Sequence, residues 1–151
     1  MKTIGRHLIA EYYDCQQDLL NSVAFIRDLM LRSACEMGAS VVGETFHAFS
    51  PQGVSGTVVI AESHLSIHTW PENGYVAVDI YTCGGLDPRI AFAQIGRELG
   101  ASSGRQQEIL RGLPDELGSE ATLAPKDVKI MTRVTPIPFA TASSGRELAH
   151  E

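Results

Sequence analysis

The chain of 151 residues has the size of one compact domain, and 44% apolar with 20% charged residues is an ordinary globular balance. A net charge of -6 without a cluster of Lys and Arg argues against a nucleic-acid partner, because binding to a phosphate backbone depends on cationic side chains. No segment approaches the ~20 apolar residues that span a bilayer, and no early apolar run is long enough for a signal peptide. We therefore expect a cytoplasmic protein without a membrane partner, whose three cysteines are free thiols.

The first half of the chain predicts a strand, a helix and then a β-rich stretch. A short, partly alternating apolar segment at residues 7–13 predicts the strand. The helix is predicted over residues 18–37, because apolar side chains recur there at steps of three and four and Gly38 follows as a C-cap. Four segments rich in β-branched and aromatic side chains, separated by turn signals, predict a meander of strands: residues 40–49, 54–62, 65–69 and 75–81.

A second helix is predicted after Asp87 and Pro88, which supply an N-cap and a proline at the first helical position. Weaker strand patterns lie at residues 107–111 and 128–134. The order β-α-β-β-β-α predicts an α+β fold, a two-layer α/β sandwich with a mainly antiparallel sheet and helices on one face. We expect one domain over residues 1–112 and a partly flexible C-terminal extension over 113–151.

Residues 50–84 combine hydroxyls, histidines, glutamates and a cysteine in a strand-rich segment, and several kinds of site are conceivable there. One is a zinc site on His64 and His68, which would lie one turn apart on a helix. In a strand, four residues at ~3.3 Å each separate these side chains by ~13 Å, too far for one metal ion. This spacing argues against a metal site.

A serine hydrolase is a second interpretation, and a sheet with solvent-facing hydroxyls and no chemistry is a third. The residue types of a catalytic triad are present: Ser55, Ser63, His64, His68 and Asp79. However, the sequence around Ser55 is not G-x-S-x-G, and no strand-turn-helix elbow follows it.

Four short blocks in this stretch, together with the opening GRHLIAEYYDC at residues 5–15, point to a known family. The blocks are Gly53-Val54-Ser55-Gly56, Ala61-Glu62-Ser63-His64-Leu65, Ile67-His68-Thr69-Trp70-Pro71-Glu72 and Tyr81-Thr82-Cys83-Gly84. In this order they resemble the short prokaryotic S-adenosylmethionine decarboxylases, over the region from Gly5 to about Gly112. The resemblance implies a precursor that is cut between Glu62 and Ser63 and a decarboxylase domain over residues 1–112.

By this resemblance, Ser63 becomes a covalent pyruvoyl cofactor at the new chain end. A serine hydroxyl beside the preceding carbonyl can attack it, since effective molarities of such intramolecular reactions reach ~10⁵ M or more. The amide becomes an ester, and elimination of the Glu62 carboxylate followed by hydrolysis leaves a ketone and releases the Ser63 nitrogen as ammonia. The resemblance assigns support of the ester intermediate to Ser55, removal of the Ser63 α-proton to His68, and reprotonation of the substrate to Cys83.

The resemblance also implies the substrate, S-adenosylmethionine, and a homodimer whose active sites lie where two protomers meet. Phe49, Leu65 and Trp70 offer apolar faces for adenine and the sulfonium, and Glu72 is expected to bind the ribose hydroxyls. The product supplies aminopropyl groups for spermidine and spermine. The alternatives are a pyruvoyl-dependent arginine or ornithine decarboxylase on the same scaffold, and a regulatory homologue that no longer cleaves.

Overall fold

Strands dominate the part of the chain that the structure, a computed structural model, describes: residues 4–112 and 137–138. The elements in chain order are β1 (Gly5–Tyr13), α1 (Gln17–Leu20), α2 (Val23–Glu36), β2 (Val41–Ala48), β3 (Val54–Ile60), β4 (Ser63–Trp70), a 3₁₀ helix (Pro71–Asn73), β5 (Tyr75–Cys83), α3 (Pro88–Glu98), β6 (Ser103–Arg111) and β7 (Ile137–Pro138). The strands form one sheet in the order β2-β3-β4-β5-β1-β6-β7, and each neighbouring pair is antiparallel.

Helices α2 and α3 pack against each other and cover one face of the sheet. Helix α2 contacts β2 and β3, and α3 contacts β1 and β5. Because side chains alternate between the faces of a strand, every second residue of β1, β3, β4 and β5 is buried under the helices. The predicted α+β sandwich with helices on one face is confirmed.

The core lies between the sheet and these two helices. Tyr12 of β1 stacks on Phe92 of α3 with ring centroids 5.2 Å apart, and its hydroxyl donates to the Phe92 carbonyl oxygen at 2.9 Å. Aliphatic side chains complete this layer: Leu8, Ile26, Leu29, Met30, Leu65, Ile67, Val78, Ile80, Ile95 and Leu99. Each such fully buried side chain stabilises the fold by about 1.5–3 kcal/mol. This layer fixes the strands that carry the site.

The single helix predicted over residues 18–37 is wrong in one respect, because it is two helices. Helix α1 ends at Leu20, and Ser22 begins α2 by accepting a hydrogen bond from the Phe25 amide at 3.2 Å. The apolar spacing continues across the break, whereas Asn21 and Ser22 have short polar side chains that favour helix caps over helix interiors.

Several other predicted elements are confirmed, with shifted ends. The predicted N-cap Asp87 accepts from the Arg89 amide at 3.1 Å. The strand predicted from residue 107 begins at Ser103, and the one predicted from residue 65 begins at Ser63. The strand predicted over 128–134 and the flexibility of 113–151 lie outside the described residues, apart from 137–138. The division at residue 112 stays a prediction.

Thr69 ties the end of the sheet to the first helix. Its hydroxyl donates to the Leu20 carbonyl oxygen at 2.8 Å and accepts from the Val54 amide at 2.8 Å, and the side chain is buried. A buried hydroxyl with both bonds made holds β3, β4 and α1 in one arrangement.

No helix in the described part of the chain is long and apolar enough to cross a membrane.

Candidate active site

The Glu62–Ser63 bond lies in a tight hairpin between β3 and β4. Ile60 pairs with Ser63 across the hairpin, so Ala61 and Glu62 are its two turn residues. The turn is anchored to the segment before β2, because the Ala61 amide donates to the Ser40 carbonyl oxygen at 2.8 Å and the Ser40 amide donates to the Glu62 carboxylate at 3.1 Å. The bond is therefore held at a fixed place at one end of the interior strands β3 and β4.

The Glu62 carbonyl group receives a backbone hydrogen bond. The Cys83 amide, at the end of β5, donates to the Glu62 oxygen at 2.8 Å. Such a donor polarises the carbonyl, and it stabilises negative charge on the oxygen when a nucleophile adds to the carbon. Cys83 itself is exposed at this end of the sheet.

Ser63 has an unusual backbone conformation, with a φ of 142°. A positive φ directly after a hairpin turn normally belongs to glycine, and for other residues it costs on the order of 1–3 kcal/mol. Substituents of a tetrahedral carbon are about 120° apart around a bond, so this φ leaves Cβ only about 20° from eclipsing the Glu62 carbonyl carbon. In an ordinary strand Cβ lies far from that carbon. The conformation turns the Ser63 side chain toward the preceding carbonyl.

A second polar group lies on the uncovered face of the sheet. Ser55 of β3 and His68 of β4 are cross-strand partners, and Ser55 Oγ lies 2.7 Å from His68 Nδ1. His68 is exposed, and its ring lies 6.4 Å from that of Trp70. The pair combines a hydroxyl group with an adjacent base, as in an activated nucleophile.

The two groups lie apart within one chain. Five residues at about 3.3 Å each separate Ser63 from His68 along β4, or roughly 16 Å. The predicted catalytic residues thus form two clusters, one with Glu62, Ser63 and Cys83 and the other with Ser55 and His68.

Comparison with known proteins decides the family. The family described as S-adenosylmethionine decarboxylase matches residues 6–112, well over half of the chain. The chain belongs to the S-adenosylmethionine decarboxylase family. The family predicted from the sequence blocks is thereby confirmed.

Relatives named S-adenosylmethionine decarboxylase proenzyme are similar over most of the chain. Those of Thermosipho melanesiensis and Thermotoga maritima are 51% and 50% identical over 119 residues, covering 78% of this chain and 92% of each relative. The crystal structure of the adenosylmethionine decarboxylase from Aquifex aeolicus aligns with a TM-score of 0.70 at 34% identity, covering 75% of this chain and 94% of that one. The word proenzyme describes these relatives as precursors of an active enzyme.

The residues that the family resemblance assigned to the substrate have different environments. Trp70 and Phe49 are exposed at 39% and 51%, and Glu72 is exposed with its carboxylate accepting from Gln52 at 3.0 Å. These side chains lie at the end of the sheet that carries Ser55 and His68. Leu65 requires correction, because it is fully buried beneath the helices. Strand alternation places Leu65 on the core face and Trp70 on the other face, so Leu65 offers no side-chain surface to a ligand.

The self-cleavage roles predicted from the sequence leave out two groups that the structure places at the Glu62–Ser63 bond, the Cys83 amide and the His64 ring. The Cys83 amide has no sequence signal, since any residue other than proline carries it. His64 does have one, its position beside Ser63, and its Nδ1 lies 3.3 Å from Ser63 Oγ. Neighbours in a strand normally point to opposite faces, and the positive φ of Ser63 breaks that rule here.

In the described part of the chain, no group of three or more metal-ligating side chains is placed to hold a metal ion.

Proposed function

We propose that this chain is the self-cleaving precursor of a pyruvoyl-dependent S-adenosylmethionine decarboxylase, cut between Glu62 and Ser63. The observation that carries the proposal is the conformation of Ser63, whose φ of 142° turns Cβ toward the Glu62 carbonyl carbon. Attack by Oγ on that carbon closes a five-membered ring, which requires Cβ and the carbonyl carbon to be nearly eclipsed. The precursor thus holds the Ser63 Cβ in the orientation that ring closure requires.

Three groups act in sequence during self-cleavage. The Cys83 amide, which donates to the Glu62 oxygen at 2.8 Å, stabilises the negative oxygen when Ser63 Oγ adds. Breaking of the amide bond leaves an ester. His68 then removes the Ser63 α-proton, and Glu62 departs as the carboxylate at the end of the first chain, residues 1–62. Water then hydrolyses the remaining imine, which releases the Ser63 nitrogen as ammonia and leaves the ketone. Ser55, hydrogen-bonded to His68 at 2.7 Å, orients the ring and supports the ester.

The residues at this position fit a pyruvoyl group, because Ser63 becomes the first residue of the second chain and the Cys83 thiol is exposed beside it. The group supplies a ketone that binds the substrate amine and takes up the electrons released with carbon dioxide. Cys83 supplies the proton that the substrate α-carbon receives after carbon dioxide leaves.

We propose that each complete site is formed by two copies of the chain. Because His68 and Ser63 lie roughly 16 Å apart along one strand, His68 of one copy serves Ser63 of the other. If the uncovered faces of two copies pack together, a two-fold axis that lies between them and across the strands places each end of one sheet over the opposite end of the other. Both sites are then completed. That face carries exposed apolar side chains, Ile9, Val59 and Trp70, which a second copy would cover.

S-adenosylmethionine is the proposed substrate, because the relatives at about 50% identity carry its name. Trp70 and Phe49 offer aromatic surface to the adenine and the sulfonium, and the Glu72 carboxylate suits ribose hydroxyls. The product would feed spermidine and spermine formation in the cytoplasm. The comparisons give no support to arginine or ornithine decarboxylase.

Intact mass measurement of the purified protein tests the proposal. We expect two chains, residues 1–62 and 63–151, the second beginning with a pyruvoyl group and resistant to Edman degradation. Carbon dioxide release from S-adenosylmethionine should greatly exceed that from arginine or ornithine. Ser63→Ala should abolish both cleavage and activity, because it lacks the attacking hydroxyl. An uncleaved chain with full decarboxylase activity would refute the mechanism.

A further inference from the structure

His64 is the histidine that contacts the attacking hydroxyl. Its Nδ1 lies 3.3 Å from Ser63 Oγ, whereas His68 Nδ1 is paired with Ser55 Oγ at 2.7 Å on the other end of the strand. We propose that His64 is a further catalytic residue of self-cleavage, which accepts the Ser63 hydroxyl proton in the first step. This inference rests on the proposed self-cleavage at Glu62–Ser63 and assigns its missing first base.

The position of the His64 ring is fixed by its cross-strand neighbours. Tyr81 of β5 pairs with His64, and the two rings meet edge to face with centroids 5.9 Å apart. Tyr81 is itself held by the Arg111 guanidinium, 4.6 Å above its ring, and by the His7 ring at 5.6 Å. His64 is half-buried, so its ring is confined beside Ser63. A confined base loses little entropy when it takes up a proton.

The proton balance of the first step is complete with these groups. As Ser63 Oγ bonds to the Glu62 carbonyl carbon, its proton passes to His64 Nδ1, and the negative oxygen stays hydrogen-bonded to the Cys83 amide. When the carbon–nitrogen bond breaks, His64 returns the same proton to the Ser63 nitrogen, which leaves as an amine. His64 is neutral before and after the step. His68 acts only later, on the α-proton of the ester.

The division of labour between the two histidines gives a direct test. Precursors carrying His64→Ala, His64→Phe or His68→Ala are followed by denaturing gel and mass, with and without hydroxylamine, which cleaves esters far faster than amides. A positioned base contributes ~10²–10⁴-fold, so we expect both His64 variants to cleave at least about 100-fold more slowly than wild type. Hydroxylamine should cut the His68→Ala precursor, which stops at the ester, and leave the His64 variants intact.

Two additional measurements separate catalysis from packing. Free imidazole should accelerate cleavage of His64→Ala, where it can enter the vacated space, and not of His64→Phe, which keeps the ring contact with Tyr81 but has no nitrogen. His7→Phe is the matched control, since His7 also packs on Tyr81 without contacting Ser63, and it should cleave within a few-fold of wild type. Circular dichroism and thermal unfolding identify any variant that does not fold.

The outcomes distinguish this inference from the proposed function. Cleavage of folded His64→Phe at a rate near that of wild type would overturn the role of His64 alone. Rescue of the His64 variants by hydroxylamine would overturn it too, because the ester would then form without this base. If wild type itself is never cut between Glu62 and Ser63, the proposed function fails and the inference fails with it.

Discussion

At Ser63 the backbone adopts a conformation that its side chain disfavours. Its φ of 142° is one of two positive φ values among the described non-glycine residues, and it occurs at the bond proposed to be cut. Strain of this kind persists only where surrounding contacts impose it, and here the anchored turn and the Cys83 amide do so. Cutting the Glu62–Ser63 bond removes the constraint, so the same strain that positions the nucleophile also favours the cleaved state.

This strain can be measured in precursors that cannot cleave. Ser63→Gly should be more stable than Ser63→Ala by about 1–3 kcal/mol, because glycine adopts a positive φ without steric cost. Thermal or urea unfolding at equal protein concentration measures the difference. Ser66, on the same strand with an ordinary φ, is the control position, where Gly should be less stable than Ala by about 0.5–1 kcal/mol. If the Gly variant is less stable than the Ala variant at both positions, strain at Ser63 is excluded.

Cys83 has two proposed roles at this scale, its amide toward Glu62 and its thiol toward the substrate. Only the thiol is lost in Cys83→Ala, so the backbone donor to the Glu62 oxygen remains. We expect the processed variant to turn over ~10²–10⁴-fold more slowly, since a positioned acid is missing. If the proton is delivered to the cofactor carbon instead of the substrate carbon, the pyruvoyl group at the start of the second chain should become an N-terminal alanine. Mass measurement and Edman sequencing of processed molecules during turnover detect this.

Wild-type turnover by processed Cys83→Ala, with no alanine end after many cycles, would show that the thiol is a bystander. Cys15 provides the contrast. It is buried, and burial with the nearby Asp14 charge raises its pKa to about 12, which makes it an inert core thiol.

At the scale of elements, strand alternation decides which residues reach the active face. In β4, Leu65, Ile67 and Thr69 face the helices, while His64, His68 and Trp70 lie on the opposite face. The Ile67-His68-Thr69 block therefore combines a core residue, a residue proposed to be catalytic and a residue that connects elements. Thr69, bonded to both Val54 and Leu20, is explained as a connection between elements rather than as part of the chemistry.

Helix α3 begins at Asp87, whose carboxylate accepts from the Arg89 amide and pairs with the Arg89 guanidinium. The hydrogen bond from Arg89 holds the pKa of Asp87 below its ordinary value. A lowered folded-state pKa means that this stabilisation is complete above the unfolded pKa, about 3.9, and is lost as the pH falls through the folded value.

We expect Asp87→Ala to lower the free energy of unfolding by about 0.5–2 kcal/mol at pH 7, or roughly 2–8 °C in Tm, because the helix loses its cap. Asp87→Asn should retain most of the stability at pH 7, since asparagine also caps helices. Thermal unfolding in the uncleaved Ser63→Ala background measures both variants. The difference in stability between the Asp87→Ala variant and its parent should shrink as the pH falls below the unfolded pKa, about 3.9. A difference independent of pH would mean that the charge contributes nothing.

At the scale of the whole molecule, the separation of the two clusters is the argument for the proposed second chain. Glu62, Ser63 and Cys83 lie at one end of the uncovered face, and Ser55 and His68 lie toward the other. Helices cover the opposite face of the sheet, so a partner that reaches both clusters would pack on the uncovered face. A two-fold dimer through that face would complete two sites at once.

Co-expression of two inactive variants tests this shared site. A mixed dimer of Ser63→Ala and His68→Ala, isolated through two different tags, should contain one complete site and therefore regain decarboxylase activity. The matched control pairs Ser63→Ala with Cys83→Ala, where both changes fall in the same cluster and no mixed dimer can be complete. Activity in neither mixture, from folded mixed dimers, would place each site within a single chain.

The sequence by itself determined the family and the fold class, and it predicted the cleavage point. Local signals carried these conclusions: short ordered blocks around Ser63 and Cys83, β-branched strands between turns, and the Asp87-Pro88 helix start. The break between the two helices after Leu20 was not predicted, because the apolar spacing continues through it. Leu65 was misassigned, because a motif does not reveal which face of a strand each residue occupies.

Only the tertiary structure decided how the catalytic groups are arranged. The hydrogen bond from the Cys83 amide joins residues that are 21 positions apart in sequence, and it depends on the pairing of β4 with β5. The positive φ of Ser63 results from the anchored turn rather than from serine, which disfavours it. The roughly 16 Å between Ser63 and His68 follows from the extension of β4, since a strand separates residues that a helix would bring within one or two turns.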